Sequence, residues 1–444
     1  MVCKTVRQAV LVTLCVVSLA VSIGESRAGD AEILELRGPT MGTTYMVKIY
    51  DPPTFEEPIA EAIDSELRLV NDQMSTYLKS SELSRFNDSG STDWFDVSHD
   101  TAVVVKMALE VAEATDGAFD PTVGPLVNAW SFGPNPRTNQ VPSDEKLAEL
   151  RNSVGYTNLS VRADPPALKK SIPSLRVDLS AIAKGHGVDR VVELLGEAGA
   201  KNIFVEIGGE VRTVGSKGDD PWKVGIQNPE TRLITADQAS TMSLSIAAAH
   251  PLSNQAMATS GDYQNYFEVD GERYSHTIDP RTGRPVDHGL ASVSVIADTC
   301  RKADAWATAI DVLGIEEGLR IAKEKSLDVF LISRNESGIE KVGTGSLQKY
   351  AEAKASDEVA VAQEETPWLT RFMPTLVVTL IGFTVFLIAM AIGVLLGGKR
   401  ISGSCGGLAG KENPDGSISC SMCGTPSEGC KELREKMQNS PTES

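Results

Sequence analysis

The chain has 444 residues with 42 basic and 60 acidic side chains, which gives a net charge of −18. Its length allows roughly two or three domains and a sizeable core. The acidic surplus disfavours a general nucleic-acid binder, because affinity for phosphate rests on Lys and Arg. Of the seven cysteines only Cys300 lies in the central part of the chain, so no disulfide pair can form there.

Residues 1–28 have the pattern of a secretory signal peptide. Lys4 and Arg7 precede an apolar stretch, and the small residues Ser26 and Ala28 occupy the two positions that signal peptidase reads. An uncleaved membrane anchor is the main alternative. The pattern predicts cleavage after Ala28 and export of the domain that follows.

The first part of that domain alternates strand and helix patterns. A strand is predicted from about Ile33 to Tyr50, a helix around Pro58 to Met74, and another helix over Asp100 to Thr115. The loop that follows, DGAFDPTVGPLVNAW at 116–130, contains Gly and Pro, which hold a nonrepetitive backbone. On this pattern alone the loop is structural, packed by its aromatic side chains.

Residues 175–199 predict a strand, a loop of small residues and a helix from about Val188. Such a junction directs backbone amides and a helix N-terminus toward one place, which favours a phosphate. Lys184 offers a positive charge to a pyrophosphate, and Asp178 can accept hydrogen bonds from a ring or a sugar. Many junctions of this kind bind nothing. Glu210, after a glycine pair between two predicted strands, suits a solvated charge or a ligand contact equally well.

The segment SHTIDPRTGRP at 275–285 is a predicted turn, because its prolines fix φ and its glycine allows a reversal. LASVSVIA at 290–297 alternates like a strand with one face more buried than the other. A helix is predicted next, capped by Asp298 or Thr299 and ended by Gly314.

Inside that helix Asp304 and Thr308 are four residues apart, so their oxygens project from one face. A carboxylate and a hydroxyl are hard oxygen ligands, suited to Mg²⁺. The alternative is an amphipathic helix with a solvated Asp and a Thr bonded to its own backbone. The residues around them favour close approach to another surface, because they are small: Ala303, Ala305, Ala307 and Ala309.

These blocks, in this order, resemble the ApbE family of magnesium-dependent FAD:protein FMN transferases. The resemblance covers most of residues 35–345 and rests on MGTTY, DGAFDPTVGPLVNAW, DLSAIAKGHGVDR, EIGGEVRTVG, SHTIDPRTGRPVDHGLASVSV and CRKADAWATA. It implies an ApbE-like, T-fold-like catalytic domain over residues 29–348. The mixture of strands and helices, with several adjacent strand pairs, favours an α+β fold in two packed layers.

The resemblance also implies roles for individual residues. Contacts to FAD fall on Met41, Ala118, Phe119, Asp120, Asp178, Lys184 and Thr277. The Mg²⁺ ligands fall on the backbone carbonyl of Ala181 and the side chains of Asp304 and Thr308. The implied catalytic residues are His276, as the base for an acceptor hydroxyl, and Asp304. Residue type alone leaves His186 of KGHG as a competitor for the base.

The pattern changes after the catalytic domain. Residues 349–371 are polar and acidic, as in a linker. Residues 372–398 carry no charge and exceed the about 20 residues that a transmembrane helix needs. Lys399 and Arg400 follow at once and place the tail, residues 399–444, in the cytoplasm. With the signal peptide, this predicts a bacterial inner-membrane protein whose catalytic domain is periplasmic.

Four cysteines lie in that tail: Cys405, Cys420, Cys423 and Cys430. Four thiolates suit a tetrahedral zinc or an iron site, and a cytoplasmic compartment disfavours the alternative of disulfides. SCGGL after a basic membrane exit resembles NqrM, a small membrane protein needed to assemble the sodium-pumping NADH:quinone oxidoreductase.

Together the two resemblances imply transfer of FMN from FAD to a Ser or Thr hydroxyl, with release of AMP. The acceptor is expected to be another protein, a flavoprotein subunit of the sodium-pumping complex or a related flavoprotein, and the tail is expected to aid assembly of its metal centre. Alternatives are an FAD pyrophosphatase that yields FMN and AMP, and a non-catalytic flavin-binding assembly factor.

Overall fold

The computed structural model describes residues 32–352, except 136, 230–245, 263–264 and 336–337, together with 411–412 and 418–419. The predicted signal peptide, membrane helix and tail cysteines lie outside these residues, as does the predicted linker after residue 352. Among the helices described, none combines the length and hydrophobicity that crossing a membrane requires.

The chain divides into two units, residues 1–361 and 362–444. Within the second unit, strands β18 (Lys411–Glu412) and β19 (Ile418–Ser419) pair antiparallel. All the other described residues belong to the first unit.

Within the described residues of the first unit, eight strands form one antiparallel sheet. Strands β1 (Ile33–Thr40) and β2 (Thr43–Tyr50) are joined by Met41 and Gly42, with φ values of 47° and 74°, as in the two-residue turns that match the twist of paired strands. In spatial order the strands are β1 (Ile33–Thr40), β2 (Thr43–Tyr50), β6 (Ile203–Ile207), β7 (Glu210–Val214), β10 (Ala256–Gly261), β15 (Leu290–Ala297), β16 (Asp328–Asn335) and β17 (Gly338–Gly343).

The longer helices pack on one face of this sheet. Val205 of β6 and Val293 and Val295 of β15 contribute to the apolar clusters under them. This arrangement agrees with the α+β prediction. Over the described residues of this unit, on either face of the sheet, the α-helices are α1 (Ile59–Met74), α2 (Glu82–Asp88), α3 (His99–Ala114), α4 (Gly124–Ala129), α5 (Asp144–Arg151), α6 (Ala183–Glu197), α7 (Cys300–Glu324) and α8 (Gln348–Glu352).

The second face of the sheet is covered by the antiparallel pair β8 (Trp222–Gln227) and β9 (Ile246–Leu252), which pack their apolar side chains against Phe330 and Ile296. The structure therefore adds a third layer to the two predicted. As a consequence all eight residues of β15 are buried, whereas its alternating pattern predicted one more exposed face. Ser294 on that face shares a hydrogen bond of 2.8 Å with Thr259.

Shorter strands frame the edge of the domain. β3 (Phe95–Asp96), β5 (Pro166–Lys170) and β4 (Leu159–Ala163) form a small sheet. β11 (Tyr266–Val269) pairs with β12 (Glu272–Ser275), and β13 (Ile278–Asp279) pairs with β14 (Arg284–Pro285). His276 lies in the short link between the last two pairs, so both of them hold its backbone.

Helix α7 departs from the prediction at both ends. Thr299 precedes it but makes no side-chain capping bond. Asp189 of α6 instead accepts hydrogen bonds from the first two amides of α7, at 2.9 and 3.1 Å. Gly314 interrupts the helix as predicted, with φ of 76°, yet a second helical segment continues beyond it.

Candidate active site

The N-terminus of α6 lies against the first turns of α7. Contact is close at Gly185, where an added Cβ would lie 2.5 Å from the carbonyl oxygen of Cys300, so only glycine fits. The Gly185 amide donates to Oδ2 of Asp304 at 2.9 Å. Because the first amides of a helix lack partners within it, this bond satisfies one of them and puts a carboxylate at the positive end of the helix dipole.

Two further oxygens of the predicted Mg²⁺ site have no hydrogen bond within the described residues. The Ala181 carbonyl lacks its helical donor because the Gly185 amide bonds to Asp304 instead. The hydroxyl of Thr308, one turn beyond Asp304, also has no partner there. A carboxylate, a carbonyl and a hydroxyl that are free to bind are a fitting donor set for Mg²⁺, which usually keeps waters and substrate phosphates as its other ligands.

No group of three or more His, Cys, Asp or Glu is placed to hold a metal in the described part of the chain. A cation at this position would therefore depend on one carboxylate and neutral oxygens. That composition suits Mg²⁺ bound together with a phosphate better than a tightly held structural metal.

Lys184 lies beside two buried carboxyl groups. Its Nζ is 2.5 Å from Oε1 of Glu210 and 4.0 Å from Oδ1 of Asp304. Glu210 and Asp304 are only 3% and 4% exposed. Glu210 is therefore not a solvated strand charge, and of the two alternatives that the sequence left open for it, the structure favours a place in the site.

Burial and mutual contact shift the pKa values of all three groups in this cluster. Burial raises the pKa of Glu210 to about 8 and also raises the pKa of Asp304, while Lys184 opposes both shifts. Burial disfavours the charge on Lys184, but the two carboxylates outweigh it and raise the pKa of Lys184. One ammonium group thus faces two carboxyl groups whose ionisation burial opposes, and a divalent cation beside Asp304 would favour the ionised form of that carboxyl group.

His276 is half-buried, and its amide donates to the carbonyl of Asn265 at 3.1 Å. Its ring lies edge-on to Phe132, and its Nδ1 is buried with no partner among the described residues. Burial, assisted by the charge on Lys184, lowers the pKa of His276 to about 4. The imidazole is therefore neutral near pH 7 and able to accept a proton, within electrostatic reach of Lys184.

Thr277 follows His276 directly in the chain, but its amide and hydroxyl bond to other parts of the domain. Its hydroxyl donates to Oδ2 of Asp311 at 2.9 Å, and its amide donates to the hydroxyl of Ser275 at 3.2 Å. The resemblance implied a contact between Thr277 and FAD. In the structure the Thr277 hydroxyl is committed to helix α7.

Ala118, Phe119 and Asp120 are buried in the loop before α4. Oδ1 of Asp120 accepts from the amide and hydroxyl of Thr122, at 2.7 and 2.6 Å, and Oδ2 accepts from the amide of Tyr156 at 2.8 Å. Burial raises the pKa of Asp120, and these hydrogen bonds act against that shift. The Asp120 carboxylate therefore holds its own loop in shape.

Asp178 connects this loop to the N-terminus of α6. Its amide donates to the Pro121 carbonyl at 2.7 Å, and its Oδ1 accepts from the amide of Ser180 at 2.9 Å. Asp178 also lines a small surface cleft, and the other side chains there are mostly polar: Thr76, Asn87, Asn128 and Arg176. A carboxylate at the edge of a polar cleft is available to accept hydrogen bonds, and a contact of Asp178 with a ring or a sugar stays a prediction.

Tyr77 lies near this cleft and was not identified from the sequence. Its side chain is 66% exposed, and partial burial together with the charge of Asp178 raises its pKa. An exposed aromatic ring beside a candidate nucleotide site offers a stacking surface. The available signal was an aromatic residue within the polar loop after α1.

Met41 lies over helix α6. A Cβ added at Gly187 would come within 2.8 Å of Cε of Met41, so the Met41 side chain covers the first turns of the helix that carries Lys184. The MGTTY turn and the KGHG segment, distant in sequence, are thus neighbours in the fold.

His186 is enclosed between α3, α6 and α7. Its Nδ1 is 3.3 Å from Nη1 of Arg301, and its Nε2 is 4.0 Å from Oδ2 of Asp100. Burial, with help from Arg301 and Arg190, lowers the pKa of His186 to about 4. The side chain is only 1% exposed, so it cannot reach a hydroxyl on another protein, and this favours His276 as the base.

Comparison with known proteins relates this site to one family. A model of the ApbE family matches residues 41–331. The FAD:protein FMN transferase of Vibrio cholerae is 44% identical over 72% of this chain and 93% of its own length. The enzyme of the same name from Haemophilus influenzae is 40% identical over 76% of this chain and 97% of its own.

Solved structures give the same result. The flavin transferase ApbE from Vibrio cholerae superposes with a TM-score of 0.65 at 42% identity, over 72% of this chain and 99% of that one. The flavinyl transferase ApbE from Pseudomonas stutzeri, in its apo form, also gives 0.65, at 34% identity over 74% of this chain and 99% of that one.

Proposed function

The chain belongs to the ApbE family and is an FAD:protein FMN transferase, and from this premise we propose that it moves FMN from FAD to a Ser or Thr hydroxyl of an acceptor protein and releases AMP. The observation that carries the proposal is the cluster at the N-terminus of α6. There Nζ of Lys184 lies 4.0 Å from Oδ1 of Asp304, and the same carboxylate accepts a hydrogen bond from the Gly185 amide of α6. A helix N-terminus with a lysine and a cation site is suited to a pyrophosphate.

The reaction forms a bond between the acceptor oxygen and the FMN phosphorus, and it breaks the bond from that phosphorus to the AMP oxygen. Lys184 and the amides at the start of α6 bind the pyrophosphate and offset its charge. His276, neutral at pH 7, takes the proton of the acceptor hydroxyl, which is a weak nucleophile without a base. AMP leaves with the oxygen of the broken bond.

We assign Mg²⁺ to the carbonyl of Ala181, the carboxylate of Asp304 and the hydroxyl of Thr308. The support is their availability, because two of these oxygens have no hydrogen bond in the described residues and the third belongs to a buried carboxyl group whose ionised form a cation would favour. When bound, Mg²⁺ supplies positive charge opposite the pyrophosphate and the departing AMP.

The proposed acceptor is a flavoprotein subunit of a sodium-pumping NADH:quinone oxidoreductase. The support lies in the sequence after the folded domain, where the uncharged residues 372–398 and SCGGL resemble NqrM. One chain would then serve two steps in maturing the same complex. The Ser or Thr hydroxyl must lie on a segment that can reach His276.

We further propose that the catalytic domain is periplasmic and that the cysteine tail is cytoplasmic and binds iron or zinc. The support is the signal-like residues 1–28 and the Lys399-Arg400 pair after the uncharged stretch. Protease added to intact spheroplasts should cut the domain and spare the tail.

Metal analysis of the purified chain should find iron or zinc, and a chain with all four tail cysteines replaced by Ser should have lost it. A protected domain or an unchanged metal content would contradict these assignments.

The transferase proposal is tested by the intact mass of an acceptor fragment after incubation with the full chain, FAD and MgCl₂. We expect the fragment to gain one FMN, with AMP in solution, and we expect no gain after chelation or when the acceptor Thr is replaced by Val. Free FMN and AMP without a mass gain would favour an FAD pyrophosphatase. Intact FAD, over a series of acceptor fragments, would indicate a flavin-binding protein without turnover.

A further inference from the structure

A second acid of helix α7 lies on the same face as the proposed Mg²⁺ ligands. Asp304, Thr308 and Asp311 follow one another at intervals of four and three residues, so they form one stripe along the helix. The Asp311 side chain is fully buried, with 0% exposure. No role has yet been given to it, because the assigned chemistry stops one turn earlier.

Asp311 connects α7 to two other parts of the fold through a single oxygen. Its Oδ2 accepts a hydrogen bond from the hydroxyl of Thr277 at 2.9 Å and another from the hydroxyl of Ser260, on β10, at 3.1 Å. Its Oδ1 is buried and has no partner among the described residues. The carboxylate thus links helix α7, strand β10 and the segment that follows His276 through hydrogen bonds.

The hydrogen bond between Asp311 and Thr277 helps to fix the backbone of His276. Thr277 is held at three points, because its hydroxyl bonds to Asp311, its amide to the hydroxyl of Ser275, and its carbonyl to the amide of Val286 at 3.0 Å. His276 precedes it directly, and its own amide bonds elsewhere in the chain. Of these contacts, only the one to Asp311 relates His276 to the helix that carries Asp304 and Thr308.

Keeping a carboxyl group here is costly. Among the described residues no cation lies within hydrogen-bonding distance of it, and burial raises the pKa of Asp311 to about 6, with the Thr277 hydroxyl, the charge of His288 and the Ser260 hydroxyl acting against the shift. Burying an acid beside two neutral hydroxyls costs free energy that an apolar residue at this core position would avoid. A requirement for geometry would explain why such a group stands in the helix.

We propose that Asp311 is a positioning residue, which sets the imidazole of His276 at the correct distance from the Asp304 and Thr308 face by holding the hydroxyl of Thr277. This inference rests on the proposed transferase reaction with His276 as its base. Asp311 itself touches neither FAD nor the acceptor in this proposal. Its effect is on the rate of the proton transfer step, and a displacement of about 1 Å there can cost roughly a hundredfold in rate.

The test uses the full chain, FAD, MgCl₂ and an acceptor fragment, and it compares Asp311→Ala, Thr277→Val and the double variant. We expect each single variant to lower kcat roughly tenfold to a hundredfold, with the KM for FAD nearly unchanged. The double variant should be no slower than the slower single variant, because both break the same link. Independent losses that multiply in the double variant would overturn the proposal.

Conservative variants separate positioning from simple support of the fold. Thr277→Ser retains the hydroxyl and Asp311→Asn retains an oxygen acceptor, so both should keep kcat close to wild type. Ser260→Ala is the matched control, since it removes the other hydrogen bond to the same carboxylate from a strand that does not carry the histidine. We expect it to lower the unfolding temperature and to leave kcat unchanged. Equal losses of kcat in Ser260→Ala and Thr277→Val would identify Asp311 as a fold contact only.

The same experiment distinguishes this inference from the function on which it rests. If the wild-type chain transfers no FMN, the proposed function fails and the positioning role fails with it. If the wild-type chain transfers FMN and Asp311→Ala does so at the same kcat, only the positioning role is overturned. Should Asp311→Ala not fold, the comparison of Thr277→Val with Thr277→Ser still decides the matter, because it leaves the carboxylate in place.

Discussion

Replacing Asp304 with Asn is expected to reduce FMN transfer at least about a hundredfold while the chain stays folded. The amide oxygen of Asn can still accept the hydrogen bond from Gly185, so the contact between α6 and α7 survives. The variant loses the negative charge that we propose binds Mg²⁺. Loss of about 3 kcal/mol of charge stabilisation in the transition state corresponds to that factor. The measurement is kcat at saturating FAD, with thermal unfolding followed in parallel.

Asp298→Asn is the matched control for this experiment. Asp298 stands just before the same helix, and its exposed side chain pairs with Lys302 at 3.1 Å, so its replacement should leave kcat unchanged. Partial recovery of the Asp304 variant at high MgCl₂ would indicate a weakened metal site. An Asp304 variant that transfers FMN at the wild-type rate would restrict Asp304 to its hydrogen bond with α6.

The stripe formed by Asp304 and Thr308 could be predicted because helical periodicity is a local property of the sequence. The residues that surround Asp304 and Thr308 in the fold could not be predicted in this way. Glu210 follows a glycine pair at a strand turn, where a carboxylate commonly faces water, and its burial depends on Lys184 arriving from another segment at 2.5 Å. An ion pair between positions so far apart in the chain leaves no local pattern.

The cap at the start of α7 could not be predicted from the local sequence either. Local capping preferences pointed to Asp298 or Thr299, since a residue of this type just before a helix commonly bonds its first amides. The amides are bonded instead by Asp189, which is completely buried on α6 and is also held by Arg212 at 2.7 Å. This cap exists only because α6 and α7 pack together, so it follows from tertiary structure.

The cap formed by Asp189 has a physical cause in the packing of α6 against α7. The small residues at the start of α6 and along α7 permit close packing of the two helices, and at Gly185 there is no room for a Cβ atom. Once the helices are packed, the polar groups between them must satisfy one another, because a buried group without a partner costs free energy. The sequence thus predicted that α7 approaches another surface, and the structure identifies that surface as the N-terminus of α6.

Replacing His276 with Gln is expected to lower kcat for FMN transfer by roughly 10² to 10⁴, the range typical for loss of a general base. The KM for FAD should change little, because Gln preserves most of the volume of the ring against Phe132. The base acts only when unprotonated. Burial and the charge on Lys184 lower the pKa of His276 to about 4, so the base stays competent above that pH and is lost as the pH falls through it.

The wild-type rate should therefore show no titration of this histidine near neutral pH and should fall about tenfold per pH unit below pH 4, measured while the chain remains folded. His99→Gln is the control, because the His99 side chain is 77% exposed on α3 and should not affect kcat. A His276 variant with the wild-type rate would assign the proton to another group. A wild-type titration near the ordinary histidine pKa of about 6.5, absent from His276→Gln, would instead keep His276 as the base and show that its ring is hydrated in the working enzyme.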